Sequence, residues 1–178
     1  MFRSLFYKLF FFIYKIVFKF NSVNYGDVIY IYDIDNTICN TGYRSNYQGF
    51  LDKDLVNNLE VYIPIKNKIL NQYKDSNNIF FFSVRPIKFW LLTFFWLNRN
   101  EIKVNIFQLF FFNSPMKKIK FIEYLVNKGY LIEFYDDMSF NHENGKVMFY
   151  ESEINYLKKL KLNYYGFKYL NLLNKINK

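Results

Sequence analysis

Asp33 and Asp35 are the two residues whose type and spacing are best suited to chemistry. They stand two positions apart and directly follow residues 27–32, an apolar segment that we interpret as a buried parallel strand. Two carboxylates placed in this way can face one point, where they repel each other strongly unless a cation lies between them. An aspartate can act as a covalent nucleophile towards phosphorus, while a second carboxylate protonates the leaving oxygen. The pair therefore indicates phosphoryl transfer, with Mg²⁺ as the cation that suits oxygen ligands and phosphate.

Ser83 and Arg85 follow a second apolar segment, residues 78–82. A hydroxyl and free backbone N–H groups at a strand end can hold a phosphate oxygen, and a guanidinium adds a planar pair of donors. An arginine is informative at this position because the chain contains 20 lysines and only 4 arginines. The alternative is a capping serine beside a solvated arginine.

Lys117 and Lys118 come soon after a third apolar segment, residues 105–112. Ser114 and Pro115 precede them and are typical of an N-cap and a first helical residue, which puts both lysines in the first turn of a helix. Cationic side chains in a first turn oppose the helix dipole, and a bound anion turns this penalty into attraction. The alternative is a pair of ordinary surface lysines.

Asp136 and Asp137 follow a fourth apolar segment, residues 130–135. If this segment lies beside the first one in a parallel sheet, the two acidic pairs meet at the same edge and form an acidic metal pocket. The alternative is an acidic turn without a metal.

Apolar segments that alternate with helical stretches predict an α/β protein, with a doubly wound, Rossmann-like parallel sheet and helices on both faces. Helical patterns cover residues 65–73, 87–97, 115–128 and the tail from residue 154. Asn144-Gly145 predicts a short β-hairpin after the fourth strand, between residues 138–141 and 146–150. Ligands of such sheets bind at the carboxyl ends of the strands, which is where the four polar clusters fall.

The order and spacing of these clusters resemble the haloacid dehalogenase (HAD) superfamily of phosphatases, in its small or capless form. VIYIYDIDNT is similar to the first motif of that family, FFFS to the second, a lysine at a helix start to the third, and LIEFYDD to the fourth. The resemblance implies a hydrolase of phosphomonoesters with Asp33 as nucleophile and Asp35 as general acid and base. It also implies that Mg²⁺ is held by Asp33, the backbone carbonyl of Asp35, and Asp136 or Asp137.

The same resemblance implies that Ser83 and one lysine bind the phosphate group of the substrate, a role that we also assign to Arg85 and Thr37. Lys118 is our choice of lysine, because apolar residues follow it at the spacing of a helix core; Lys117 is the alternative.

Residues 1–22 are predicted to form a basic amphipathic helix in front of a single phosphatase domain, residues 23–178. The segment carries too many charges for a comfortable membrane span and lacks the cleavage site of a signal peptide. The helix either packs on the domain or lies on an anionic membrane surface. One of its stripes carries Ser4, Lys8, Lys15 and Lys19.

The formal net charge of +9 favours anionic partners, and the alternative is a lysine-rich solvated surface that reflects nucleotide bias. The single cysteine, Cys39, excludes an intrachain disulfide, and we expect a cytoplasmic protein that is peripheral on the inner face of the membrane if the helix docks there. His142, the one histidine, is expected to be a hairpin residue and not a catalyst. Residues 89–97 are predicted to be core, with an exposed patch for membrane or dimer contact as the alternative.

Residues 38–77 leave no room for a large cap, and an open site implies either a bulky substrate or closure by a partner. Together with the basic helix, an open site favours a phosphorylated glycan or a lipid-linked precursor at the membrane surface. A polynucleotide 3′-phosphatase is the alternative enzyme, with nucleic acid as its partner. A non-catalytic anion- or membrane-binding module on the same fold is the alternative from another class.

Overall fold

A parallel β-sheet forms the centre of the computed structural model, which describes residues 2–21, 23–41, 53–140, 142 and 146–175. The strands of this sheet are β1 (Val28–Tyr32), β2 (Ile79–Ser83), β3 (Leu109–Phe111), β4 (Leu131–Tyr135) and β7 (Asn163–Tyr165). Their order is β3-β2-β1-β4-β7, and all neighbours pair in parallel. The prediction of an α/β fold with a parallel sheet is confirmed.

Helices cover both faces of the sheet. They are α1 (Phe2–Lys19), α2 (Lys53–Asn57), α3 (Ile63–Asp75), α4 (Trp90–Arg99, after a 3₁₀ turn at Ile87–Phe89), α5 (Pro115–Asn127), α6 (Glu151–Leu157) and α7 (Phe167–Lys175). One apolar cluster lies between the sheet and α2, α3, α4 and α7, and the other lies between the sheet and α1, α5 and α6.

The central strands are apolar along their whole length because both of their faces are covered. Successive residues of a strand point to opposite faces, so Ile31, Phe80 and Phe82 belong to the α1/α5/α6 cluster. Tyr32 and Phe81 belong to the opposite cluster. The apolar segments therefore read as continuous runs and not as alternating patterns.

The register of the sheet brings the acidic clusters together. Tyr32 of β1 pairs with Tyr135 of β4, which in turn pairs with Tyr165 of β7. The three rings stack, with centroids 4.5 Å apart at each step and interplanar angles of 9° and 7°. Asp33 and Asp136 are the next residues along their strands, and the Asp33 N–H donates to the Tyr135 carbonyl at 2.8 Å. The first and fourth polar clusters are thus adjacent.

Helix α1 packs on the domain. Phe18 is buried in the α1/α5/α6 cluster, and its ring centroid is 4.7 Å from that of Phe80. The Tyr14 ring meets the Phe110 ring edge-on, with the centroids 5.1 Å apart. None of the described helices combines the length and apolar character needed to cross a membrane. Ser4 and Lys8 of the predicted lysine stripe have no described side chain.

The chain after residue 150 differs from its prediction. A wholly helical tail was expected, but the sheet gains its fifth strand, β7, between α6 and α7. The sequence of β7, Asn-Tyr-Tyr, is too short and too polar to give a strand signal, and pairing with β4 and the tyrosine stack hold it. Strands β5 (Ser139–Phe140) and β6 (Met148–Phe149) pair antiparallel. The Asn144-Gly145 turn lies outside the described residues, so the hairpin stays a prediction.

Candidate active site

The four polar clusters meet at the carboxyl edge of the sheet, around a cavity of about 240 Å³. Asp33, Arg85, Lys118 and Asp136 each line this cavity, and each comes from a different segment that follows a strand. The arrangement follows from the strand order, because β2, β1 and β4 are neighbours and a parallel sheet presents all their carboxyl ends at one edge.

Lys118 lies between two aspartates. Its Nζ is 2.6 Å from Oδ1 of Asp33 and 2.5 Å from Oδ2 of Asp136, and all three side chains are buried. Helix α5 aims the lysine inward, since Ser114 caps the helix by accepting the Lys117 N–H at 3.3 Å and Pro115 begins it. Lys118 then falls on the same helix face as the buried Ile122 and Leu125. Of the two candidate lysines, Lys118 is the one whose ammonium group contacts Asp33.

Asp137 completes a group of three buried carboxylates. One oxygen each from Asp33, Asp136 and Asp137 lies within 4.8 Å of the others. The Asp137 N–H donates to the Thr37 hydroxyl at 3.2 Å, which joins the loop after β1 to the loop after β4. The Thr37 side chain is fully buried in this role, and its predicted contact with phosphate stays a prediction.

The donor set of this group fits Mg²⁺. Hard divalent cations take carboxylate and carbonyl oxygens, and buried carboxylates so close together repel one another without a counterion. When Asp33, Asp35, Asp136 and Asp137 are all ionised, Lys118 and Arg85 supply two positive charges against four negative ones, so that two negative charges remain. A divalent cation would balance them.

Burial dominates the electrostatics of the group. It raises the pKa of Asp33 well above the usual value, Lys118 acts in the opposite direction, and the charges of Asp136 and Asp35 raise the pKa further. Burial also raises the pKa of Asp137, against a lowering contribution from its contact with His142. Burial alone would lower the pKa of Lys118, but Asp136 and Asp33 outweigh it and keep the ammonium group charged.

Asp35 is turned towards Arg85 and away from the group of three. The guanidinium binds both of its carboxylate oxygens: Nη2 donates to Oδ1 at 2.7 Å and Nε donates to Oδ2 at 2.9 Å. Arg85 is buried and also donates from Nη1 to the Thr93 hydroxyl at 3.1 Å, which fixes it against α4. The predicted contact of Arg85 with phosphate stays a prediction; in this structure its guanidinium holds Asp35.

Ser83 is the last residue of β2 and is fully buried. Its hydroxyl accepts the Arg85 N–H at 3.2 Å, so it shapes the turn that sends the arginine towards Asp35. Asn36 makes the corresponding turn after β1. It adopts a left-handed φ of 55°, which asparagine tolerates better than most residues, and its side-chain oxygen accepts the Thr41 N–H at 3.2 Å.

His142 and Ser139 were not expected near the site. His142 Nε2 is 3.4 Å from Oδ2 of Asp137 and 2.5 Å from the Ser139 hydroxyl, which itself donates to Asp137. Both residues lie within five positions of Asp137 in the sequence, and this nearness was the signal that could have placed them at the site. The left-handed φ of 48° at Met138, which turns the chain back towards the site, is rare for methionine and gave no such signal.

Cys39 lies close to the site but is unsuited to catalysis. It is buried, burial raises the pKa of its thiol, and its sulfur is 3.5 Å from Nη2 of Arg85. A buried thiol with a raised pKa is not the thiolate that nucleophilic chemistry needs.

Comparison with known proteins gives no family assignment. No protein-family model, curated protein or solved structure gives a significant match to this chain. A functional interpretation therefore rests on the residues and the geometry of the site itself.

Proposed function

We propose that this chain is a Mg²⁺-dependent phosphomonoester hydrolase that works through an aspartyl-phosphate on Asp33, like the HAD superfamily that it resembles. The observation that carries the proposal is the position of Lys118 Nζ, 2.6 Å from Asp33 and 2.5 Å from Asp136, beside the third carboxylate of Asp137. Transfer of an anionic group is favoured where a nucleophile, a buried cation and a set of metal ligands lie together at the carboxyl edge of a parallel sheet.

In the first step, Asp33 attacks the phosphorus atom of the substrate. Lys118 holds Oδ1, and the attack is assigned to the other carboxylate oxygen. The new Asp33–phosphorus bond forms as the ester oxygen leaves, and that oxygen takes the carboxyl proton of Asp35, which has to enter this step in its protonated form. Lys118, which lines the cavity, offsets negative charge on the transferring oxygens. A contact of Ser83 with the phosphate stays a prediction, because this buried side chain is not among the residues that line the cavity.

In the second step, water attacks the aspartyl-phosphate and returns Asp33 to its free form. Asp35, now ionised, takes a proton from this water, and inorganic phosphate leaves. Arg85 acts as a positioning residue in both steps, because its guanidinium fixes the orientation of the Asp35 carboxylate.

Mg²⁺, when bound, would supply charge stabilisation for the phosphoryl oxygens and would favour the ionised form of Asp33. Asp33, Asp136 and Asp137 would hold it, with the backbone carbonyl of Asp35 as a further ligand suggested by the family resemblance. Thr37 and His142 keep Asp137 in position for this role.

The substrate that we favour is a phosphorylated glycan or lipid-linked precursor. A cavity of about 240 Å³ is small compared with typical ligand pockets of roughly 300–1,000 Å³. It accommodates the phosphoryl group and the atoms next to it, so the rest of a bulky substrate would remain outside.

A hydrolysis assay on the purified chain tests the proposal. We expect turnover of a small phosphoester such as p-nitrophenyl phosphate that disappears with EDTA and returns with Mg²⁺. Asp33→Asn should lower turnover by roughly 10⁴-fold or more, as for other covalent nucleophiles. Asp75→Asn, which changes an exposed carboxylate of α3, is the matched control and should keep full activity. Full activity in EDTA would contradict the proposal.

A further inference from the structure

Helix α1 is apolar on two faces. One face packs on the domain through Phe18, and the other leaves a row of large apolar side chains in solvent, between 41% and 67% exposed. This row follows the i, i+3, i+4, i+7 spacing of a single helix stripe. It consists of Leu9, Phe12, Ile13 and Ile16 of α1, and Phe20 extends it in the turn that directly follows the helix.

A second exposed apolar row runs along the 3₁₀ turn and α4. Ile87, Leu91 and Phe95 stand four residues apart and are each 56–58% exposed, while Trp96 and Leu97 on the other side of α4 are buried. The segment 89–97, predicted to be core, therefore contributes to the core with one face and leaves the other face uncovered.

The two helices that carry these rows both contact β3, the edge strand of the sheet. Along β3, every second residue forms its backbone hydrogen bonds with β2. Leu109 and Phe111 belong to the other set, so their backbone N–H and C=O groups point away from β2. Trp90 of α4 donates to the Leu109 carbonyl at 3.0 Å, and the Tyr14 hydroxyl of α1 accepts the Phe111 N–H at 3.2 Å. We call the α1 row, the α4 row and this capped edge the β3-edge surface.

The β3-edge surface is basic at its margins. Residues 1–26 contain four basic residues and no Asp or Glu, and residues 76–100 also lack Asp and Glu. Lys19 lies exposed beside the α1 row, and Lys88 lies exposed next to Ile87. Large apolar side chains with cationic neighbours are typical of helices that lie in the interface of an anionic membrane.

We propose that the β3-edge surface docks on an anionic lipid bilayer, with the α1 and α4 rows inserted among the lipids and the lysines at the level of the headgroups. A second copy of the chain is a poorer occupant for two reasons. A symmetric dimer would oppose the same basic segments across its interface, and Trp90 and Tyr14 already cap the β3 groups that strand pairing would use.

Docking in this way brings the catalytic cavity close to the bilayer. Pro86 lines the cavity, and Ile87, the next residue, begins the α4 row. A substrate anchored in the same bilayer could present its phosphate to Asp33 without leaving the membrane; this consequence rests on the proposed function, whereas docking itself does not.

Co-sedimentation of the full chain with vesicles tests the docking. We expect binding to phosphatidylcholine vesicles that contain phosphatidylglycerol, weak binding to phosphatidylcholine alone, and weaker binding at high salt. The double variants Phe12→Gln/Ile16→Gln and Leu91→Gln/Phe95→Gln should each lower binding about tenfold or more, because each removes two inserted side chains.

Leu172→Gln is the matched control. Leu172 is 55% exposed on α7, which lies with β7 at the opposite edge of the sheet, so this variant should bind like the wild type. Three results would each overturn the proposal. The control could lose binding as much as the double variants, the wild type could fail to bind anionic vesicles, or sedimentation velocity could show a dimer that both double variants dissociate. Hydrolysis of a small soluble phosphoester should be unchanged in all three variants, so a failure of docking and a failure of the catalytic proposal are distinguishable.

Discussion

Among single residues, the pairing of Asp35 with Arg85 has the clearest consequence for mechanism. Arg85 was predicted to bind phosphate, whereas its guanidinium lies on both oxygens of the proposed acid. The two roles differ in what a substitution changes. A phosphate-binding residue affects formation of the phosphoenzyme from every substrate alike, but a residue that positions the acid affects this first step only when the leaving oxygen needs a proton.

For Arg85→Lys, we expect kcat/KM, which reports formation of the phosphoenzyme, to fall more for an alkyl phosphate than for p-nitrophenyl phosphate, whose leaving group departs without a proton. An ammonium group cannot reproduce the two-pronged contact with Asp35. The ratio of the two kcat/KM values should change by about tenfold or more, in the same direction as in Asp35→Asn. Equal losses of activity for both substrates would instead support the phosphate-binding role of Arg85. Circular dichroism on the variant controls for its fold, because Arg85 is buried.

The buried carboxylates should make the metal-free protein less stable as pH rises. The folded-state pKa values of Asp33 and Asp137 lie above the usual value of 3.8, so the folded form holds protons that the unfolded form has lost. Their contribution to the free energy of unfolding is largest at low pH and falls as pH rises from 3.8 through the folded-state pKa. Mg²⁺ should offset this loss, because it binds the ionised carboxylates.

Thermal unfolding of Asp137→Asn measures this effect. We expect a higher Tm than wild type in EDTA at neutral pH, since one of the crowded charges is gone. Mg²⁺ at ten times its Kd should raise the wild-type Tm by about 3–6 °C and the variant's by much less. Asp75→Asn, at an exposed carboxylate, should behave as the wild type. A destabilised Asp137→Asn in EDTA would show that this carboxylate is structurally required without metal.

Much of the site could be predicted from the sequence, because apolar runs mark strands and the residues after them fall at one edge. Asp33, Lys118, Asp136 and Asp137 do come together in this way. The contact between Asp35 and Arg85 could not be predicted, because it joins residues 50 apart through a side-chain direction that no local pattern specifies. His142 was missed although it is only five residues from Asp137, because the sequence does not specify that its side chain turns back to that carboxylate.

Among the elements, α1 is the one whose place the sequence left open. Its apolar residues outnumber those that one buried face requires, so periodicity alone could not tell which face packs. The structure buries Phe18 and exposes Phe12. Strand β7 was missed because three residues, Asn-Tyr-Tyr, carry no apolar run, and only tertiary contacts make them a strand.

A pair of matched substitutions tests the packing of α1. Phe18→Ala should lower the free energy of unfolding by about 3–5 kcal/mol, because it removes a buried ring that contacts the Phe80 ring. Phe12→Ala, at a side chain 60% exposed, should change it by less than about 0.5 kcal/mol. Chemical denaturation provides both values. Similar small effects for the two variants would mean that α1 is not part of the core.

For the whole molecule, the strand order β3-β2-β1-β4-β7 is what turns scattered polar residues into one site. The direction in which the chain winds changes beside β1, with α1, α5 and α6 on one face of the sheet and α2, α3, α4 and α7 on the other. This change opens the crevice in which Asp33 lies. Alternation of apolar segments with helices predicted this layout. It did not predict the uncovered β3-edge surface, which depends on how much of each helix the core leaves outside.

The central claim is that Asp33 carries the phosphoryl group, and trapping that group tests it most directly. Asp35→Asn should slow hydrolysis of the intermediate more than its formation from p-nitrophenyl phosphate, so the phosphoenzyme should accumulate with Mg²⁺ present. After an acid quench, peptide mass spectrometry should find the phosphoryl group on Asp33, and the double variant with Asp33→Asn should carry none. Phosphate on another residue, or an Asp33→Asn protein that keeps most of the wild-type turnover, would contradict the account.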